Sequence, residues 1–185
     1  MSAASASTHW VFGYGSLIWR PGFAFERSER ALAGGVHRRL CIYSHIHRGT
    51  RDHPGLVFGL ERGGACVGTA FKVASSDWDA VRAYLQEREQ VTAVYVETVR
   101  PVRLASGEKV EALTFVTDRT HEQYAGRLSL DEQYRLVSRA VGQSGANVDY
   151  VLNTASHLRE MGIADRQVQA LAGMIEASKG LGTGL

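Results

Sequence analysis

Short apolar segments rich in β-branched and aromatic residues fill the first two-thirds of this chain, and longer segments with helical spacing fill the last third. Strands gathered ahead of helices build an α+β fold, with helices packed over one sheet, rather than an α/β fold in which the two alternate. Residues 9–12 read as a buried strand that ends at Gly13-Tyr14-Gly15-Ser16-Leu17. Residues 36–44, 56–60 and 66–73 follow as strands bounded by Gly or Pro, and residues 94–102 and 110–116 flank a hairpin turn at Ser106-Gly107. One early helix is expected over 77–89, opened by Ser76 with Asp79 three residues on. Ser129 with Glu132 opens a second helix that reaches about Val141, and Asn147 and Asp165 cap two more, over 148–161 and 166–177. The expected product is one domain over 9–178, a mixed, barrel-like sheet packed with helices. Residues 1–8 read as a disordered leader and 179–185 as a flexible tail.

A chain of 185 residues buries roughly 70% of its unfolded surface on folding, so neither a disulfide nor a metal is required to hold it. The net charge is +2, with Lys and Arg interleaved among Asp and Glu, which gives no footing for nucleic acid or for a charged membrane surface. No apolar run approaches the ~20 residues of a membrane helix. The small, polar first eight residues lack the features of a secretion signal, so a cytoplasmic protein is expected. Cys41 and Cys66 sit among apolar residues and read as reduced, buried small hydrophobes.

Three features could carry chemistry. In the loop Gly13-Tyr14-Gly15-Ser16-Leu17, glycines after a buried strand let successive N–H groups converge on a carboxylate or phosphate. The loop lacks the Lys-Ser/Thr ending of a nucleotide-binding loop and the third glycine of a dinucleotide fingerprint, and by pattern alone it also reads as a plain tight turn. At the end of the early helix, Glu87 and Glu89 cannot share a face. At ~100° per residue Trp78, Val81, Leu85 and Glu89 form one stripe, and Glu87 points away. Partial burial and the negative helix terminus would both raise the pKa of Glu89 towards that of a general base. On helix geometry alone, Glu89 emerging into solvent is an equal reading. His45, His47 and His53 lie close together but have Arg48, Arg51 and Asp52 among them, which reads as a polar loop rather than a zinc site; no metal is expected. Ser16 as a nucleophile has no partner visible in the spacing.

The run Val11-Phe-Gly-Tyr-Gly-Ser-Leu-Ile-Trp-Arg-Pro21 resembles the glycine-loop signature of the ChaC-type, glutathione-specific γ-glutamylcyclotransferases. Later blocks are similar in the same order: Ser44 to Gly49 with Pro54-Gly55, Gly68 to Phe71, Arg88-Glu89 followed by Tyr95, and Gly142-x-x-Gly-x-Asn-x-Asp-Tyr150. The resemblance extends from about Trp10 to Leu171. Gln86 stands where several relatives carry Asp.

That resemblance implies a γ-glutamylcyclotransferase-like fold and cleavage of glutathione into 5-oxoproline and cysteinylglycine. It implies that Glu89 transfers the proton, that Val11, Phe12, Gly13, Tyr14, Gly15, Ser16 and Leu17 form the substrate loop, and that Tyr150 also contacts substrate. A γ-glutamyl group carries its own nucleophile, so the scheme needs no organic cofactor and no metal. The loop would hold either the α-carboxylate or the developing oxyanion, and both readings are open. Two rival functions share the same loop: a noncatalytic γ-glutamyl or glutathione-binding regulator, such as of cation transport, and a cyclotransferase for other γ-glutamyl amines.

Overall fold

In the computed structural model, which describes residues 8–89 and 93–181, the chain forms two compact units. Among the described residues, one comprises those up to Arg38 with those from Leu60 to Asp118, and the other comprises Arg39–Gly59 with those from Arg119 onward. Strands β1 (His9–Gly13), β2 (Arg27–Ser44), β3 (Gly55–Val73), β4 (Tyr95–Leu104) and β5 (Lys109–Thr117) close into a barrel in the order β1-β3-β2-β4-β5. β1 is antiparallel to β3, from His9↔Val73 to Gly13↔Thr69, and parallel to β5 at Trp10↔Ala112 and Val11↔Leu113. The sheet is therefore mixed, closed and part of an α+β fold, as the order of segments implies.

Alternation along β1 divides its side chains between two apolar clusters. Trp10 and Phe12 join Ala31, Val36, Leu60 and Val102, while Val11 joins Phe71, Leu113 and Phe115. The β4–β5 hairpin turns at Gly107, whose φ of +94° suits glycine and whose N–H donates to the Leu104 carbonyl at 2.9 Å. Two strand expectations need correction. β2 starts at Arg27, well ahead of Val36, and residues 56–60 and 66–73 belong to one strand. Gly63 and Gly64, at φ +104° and +71°, take up an irregularity inside β3 instead of ending it.

Helix α1 (Trp78–Glu89) lies in the same unit as β1, β4 and β5 and sinks Val81 and Leu85 into the cluster that holds Val11, Leu17 and Phe71. It starts at Trp78, one residue later than expected, so that Asp77 rather than Ser76 directly precedes it, and the Ser76 hydroxyl donates to the Asp77 carboxylate at 3.2 Å. Gln86 donates to Glu97 of β4 at 2.7 Å, and Arg82 pairs with the same carboxylate, so α1 is tied to the sheet on its polar side.

The second unit holds α2 (Leu130–Val137), the two-residue strands β6 (Val141–Gly142) and β7 (Gly145–Ala146), α3 (Asn147–Glu160) and α4 (Arg166–Leu181). α4 packs against α2 and α3, burying Val137, Val151, Leu158, Leu171 and Ile175. Ser129 and Glu132 form the reciprocal capping box that the sequence announces. α2 stops at Val137, short of Val141, because Val141 pairs with Ala146. Asp165 caps α4 through the Val168 N–H at 3.2 Å, and Gly162, at φ +64°, follows the end of α3. Asn147 is not a cap. Ala146 takes that position, and the Asn147 side chain accepts from the Leu56 N–H at 2.6 Å and donates to the Leu56 carbonyl at 2.8 Å. α4 continues to Leu181 rather than ending at Ala177. Residues 1–7 of the expected leader and 182–185 of the expected tail lie outside the described residues.

Candidate active site

The loop after β1 is shaped by close backbone approach. Gly13 is the last residue of β1, and a side chain at Gly68 of β3 would lie 2.2 Å from the Gly13 carbonyl oxygen. Ser16–Ile18 make a 3₁₀ turn, closed by Ile18 N–H to Gly15 O at 3.0 Å and followed by Arg20 N–H to Ser16 O at 2.8 Å. Leu17 and Ile18 turn inward, and Leu17 meets Leu85 of α1 in one apolar cluster. A Cβ at Gly15 would meet nothing within 4 Å, so the space over the loop is open there.

Two arginines grip this loop; Arg38 stands out nowhere in the sequence, and Arg88 only as part of the Arg88-Glu89 block. Arg38 of β2 is only 6% exposed; its Nε donates to the Tyr14 carbonyl and its Nη2 to the Val67 carbonyl at 2.9 Å. A buried guanidinium is tolerated where its donors meet acceptors, and here backbone carbonyls supply them. Arg88 of α1 reaches the loop from its other side. Its Nη2 donates to Ser16 Oγ at 2.8 Å, and its Nη1 to Arg20 O at 2.8 Å, Tyr84 Oη at 2.9 Å and Pro21 O at 3.4 Å. A guanidinium donates hydrogen bonds and cannot take the proton that a nucleophilic serine must lose. This geometry gives Ser16 the part of a hydrogen-bonding group.

Glu89 is the last residue of α1, one turn beyond the buried Leu85, and its side chain is 18% exposed; Glu87 is exposed. Glu89 Oε1 lies 3.6 Å from Arg88 Nε. Burial pushes the Glu89 carboxyl above its ordinary value, and the Arg88 charge offsets part of that rise. Ser16, Arg88 and Glu89 thus form a connected series in one unit: a hydroxyl, a cation and a partly desolvated carboxylate. Such a series can bind an anion at the loop and move a proton at the carboxylate.

Tyr150 belongs to the other unit. Its hydroxyl accepts from the Phe58 N–H at 3.2 Å, and the Arg48 guanidinium sits 5.2 Å from its ring centre. The surrounding glycine positions are packed as tightly as those of the loop: a Cβ on Gly142 would lie 2.5 Å from the His47 carbonyl, and one on Gly55 would lie 2.2 Å from the Arg48 carbonyl oxygen. His47 Nδ1 lies 3.2 Å from Ser144 Oγ. Among the described residues no group of three His, Cys, Asp or Glu side chains is placed to hold a metal ion. Cys41 and Cys66 are buried thiols. No helix among the described residues is long and apolar enough to cross a membrane. A separate cleft of about 440 Å³, bordered by Arg30, Val67 and Arg103, includes none of the loop residues and not Glu89.

Gly22, just beyond the loop, has φ +76°, and a Cβ there would stand 2.1 Å from the Tyr84 hydroxyl that accepts from Arg88. Gly22→Ala should therefore cost about 1–2 kcal/mol in backbone strain alone and displace Tyr84 as well. A lower melting temperature together with reduced turnover is the expected result. Wild-type values for both would show that the Tyr84 bracket is not needed.

The ChaC-like protein family profile matches residues 9–178. The glutathione-specific gamma-glutamylcyclotransferase of Escherichia coli (strain K12) is 31% identical over 156 residues, which span 84% of this chain and 68% of that protein. Glutathione-specific gamma-glutamylcyclotransferase 1 of Danio rerio is 33% identical over 160 residues, spanning 84% of this chain and 82% of that one. In fold, the chain superimposes on the crystal structure of a yeast gamma-glutamyl cyclotransferase specific to glutathione with a TM-score of 0.83, covering 92% of this chain and 96% of that one at 23% identity. The match over 9–178, the relatives above 30% identity and the shared barrel all point the same way: this chain belongs to the ChaC-like family.

Proposed function

We propose that the protein is a glutathione-specific γ-glutamylcyclotransferase, a lyase that converts glutathione to 5-oxoproline and cysteinylglycine in the cytoplasm. The observation that carries this reading is the partly buried Glu89 carboxylate, joined through Arg88 to a glycine loop built by close backbone approach. Its named relatives in Escherichia coli and Danio rerio support it.

The chemistry follows from the substrate. The α-amine of a γ-glutamyl group can reach its own γ-carbonyl and close a five-membered lactam. The bond from the α-nitrogen to the γ-carbon forms, and the bond from the γ-carbon to the cysteinyl nitrogen breaks. Holding the chain curled can supply up to ~7–11 kcal/mol of the barrier in favourable intramolecular cases. The amine has a reference pKa near ~8, so at neutral pH it is largely an ammonium that cannot attack. The α-ammonium nitrogen loses two protons in becoming the lactam N–H. Glu89 takes one before attack and passes it to the departing cysteinyl nitrogen, acting as base and then as acid, and the second leaves the α-nitrogen after attack and ends on the same departing amine as an ammonium. A raised pKa suits both halves, because it strengthens the base and keeps more of the carboxyl in its acid form than an ordinary glutamate would have. N–H groups of the loop Val11 to Leu17, with the Ser16 hydroxyl, hold the α-carboxylate or the oxyanion. Tyr150 joins the substrate-binding set on the strength of the family resemblance.

Specificity is tested by comparing reduced glutathione with γ-glutamyl dipeptides and oxidised glutathione. The missing glycyl group or the added bulk should each lower kcat/KM by at least ~10-fold, the low end of what pocket contacts discriminate. Equal or faster turnover of the dipeptides would make the protein a cyclotransferase for other γ-glutamyl amines instead.

A further inference from the structure

We infer that Arg88 is the positioning residue of this site, fixing the Ser16 hydroxyl as a hydrogen-bond donor towards substrate while holding the Glu89 carboxylate beside it. The inference rests on the cyclotransferase reading and adds a residue to it. Three observations carry it. Arg88 Nη2 donates to Ser16 Oγ at 2.8 Å, which occupies a lone pair of that oxygen with a cation and leaves the hydroxyl hydrogen to point at a further acceptor. Arg88 Nη1 is committed to Arg20 O, Pro21 O and Tyr84 Oη, so the guanidinium is anchored by acceptors other than Ser16. Nε faces Glu89 Oε1 at 3.6 Å. One planar cation therefore sets the spacing between the group that receives the anion and the group that moves the proton. A lysine cannot do this, because an ammonium is a point charge without the fork that reaches both neighbours.

The charges around Glu89 fix what titration should show. Arg88 is the charged group set against it; Tyr84 bonds to Arg88 itself, and on the β4 side Arg82 and Glu97 satisfy each other. Removing the Arg88 charge removes an attraction that favours ionised Glu89. The acid limb of the kcat profile should then move to higher pH.

The test uses the full chain with glutathione and measures kcat, KM, pH profile and melting temperature for wild type, Arg88→Gln, Arg88→Lys, Ser16→Ala and Arg88→Gln/Ser16→Ala. Arg88→Gln should raise KM roughly 10- to 100-fold, as loss of a charge-assisted hydrogen bond does, and shift the acid limb upward. Arg88→Lys should restore the position of the acid limb but not KM. The double variant should be little worse than the poorer single, because the two residues act as one unit. An active wild type with Arg88 variants of normal KM and unshifted acid limb, or with strictly additive losses, would overturn the inference and leave the cyclotransferase reading standing. An inert wild type would instead overturn that reading, and the inference with it. If Arg88→Gln melts early, Arg88→Lys and Ser16→Ala carry the comparison: normal KM in both overturns the inference, and raised KM in both at wild-type melting temperature supports it.

Discussion

Glu89→Gln is expected to lower kcat with glutathione by ~10²–10⁴-fold, the usual loss when acid/base assistance is removed. The amide keeps the shape of the side chain but cannot take the proton of the α-amine. The fold should not suffer, and the sign of the linkage says why. Burial raises the pKa of Glu89 in the folded chain above its unfolded value, so the folded state binds more protons through that window. Stability then falls as pH rises from the ordinary carboxylate range through the raised pKa. As pH rises through that window wild type increasingly bears the cost of ionising a partly buried carboxylate, whereas the glutamine variant does not. Glu89→Gln should therefore melt at or above the wild-type temperature at pH 7, and any gain should fade in acid. Glu87→Gln, on the exposed face of α1, should keep kcat within a few fold. Loss of activity in Glu87→Gln with retention in Glu89→Gln would place the base on the wrong face of the helix.

Asn147→Ala should lose as much stability as truncating a core leucine of the second unit. The Asn147 carboxamide is fully buried and makes two bonds to the backbone of Leu56, one accepted and one donated. Alanine removes both partners from a buried N–H and a buried carbonyl, and each unsatisfied group costs ~1–3 kcal/mol. A loss of ~2–5 kcal/mol is expected in denaturant unfolding, and Asn147→Asp should lose at least as much, because it keeps the acceptor but buries a carboxylate and sets an oxygen against the Leu56 carbonyl. A change of less than ~1 kcal/mol in Asn147→Ala would mean that water or a shifted backbone satisfies Leu56 instead.

The same residue shows where reading the sequence reaches its limit. Asn147 ahead of an apolar helical pattern has the local signature of a cap, and Ser129 with Glu132 has it too; only Ser129 acts as one. The difference is a backbone segment 91 positions away, which no local pattern encodes. Helix α1 was legible because its period is local: Trp78, Val81 and Leu85 set the stripe that leaves Glu89 partly buried and Glu87 exposed. β3 reads in sequence as two strands because Gly63 and Gly64 resemble a turn, whereas in a closed barrel the pairing of neighbouring strands carries the chain through. The contacts of Arg38 and Arg88 are not legible in sequence for a related reason, although Arg88 lies in the Arg88-Glu89 block. An arginine in sequence reads as a solvated charge, and the acceptors that hold these two, the carbonyls of Tyr14, Val67, Arg20 and Pro21 and the oxygens of Ser16 and Tyr84, are gathered only by the fold. The glycine loop stood out by composition, but its close approach to Gly68 and its grip by two arginines were visible only in three dimensions.

The most direct test of the central claim is to incubate the purified chain with reduced glutathione and quantify 5-oxoproline, cysteinylglycine and free glutamate over time. Attack by the substrate's own α-amine predicts equimolar 5-oxoproline and cysteinylglycine with no free glutamate, and loss of both products in Glu89→Gln. Binding without products would contradict the account in favour of a regulator, and free glutamate in place of 5-oxoproline would contradict it in favour of hydrolysis by water.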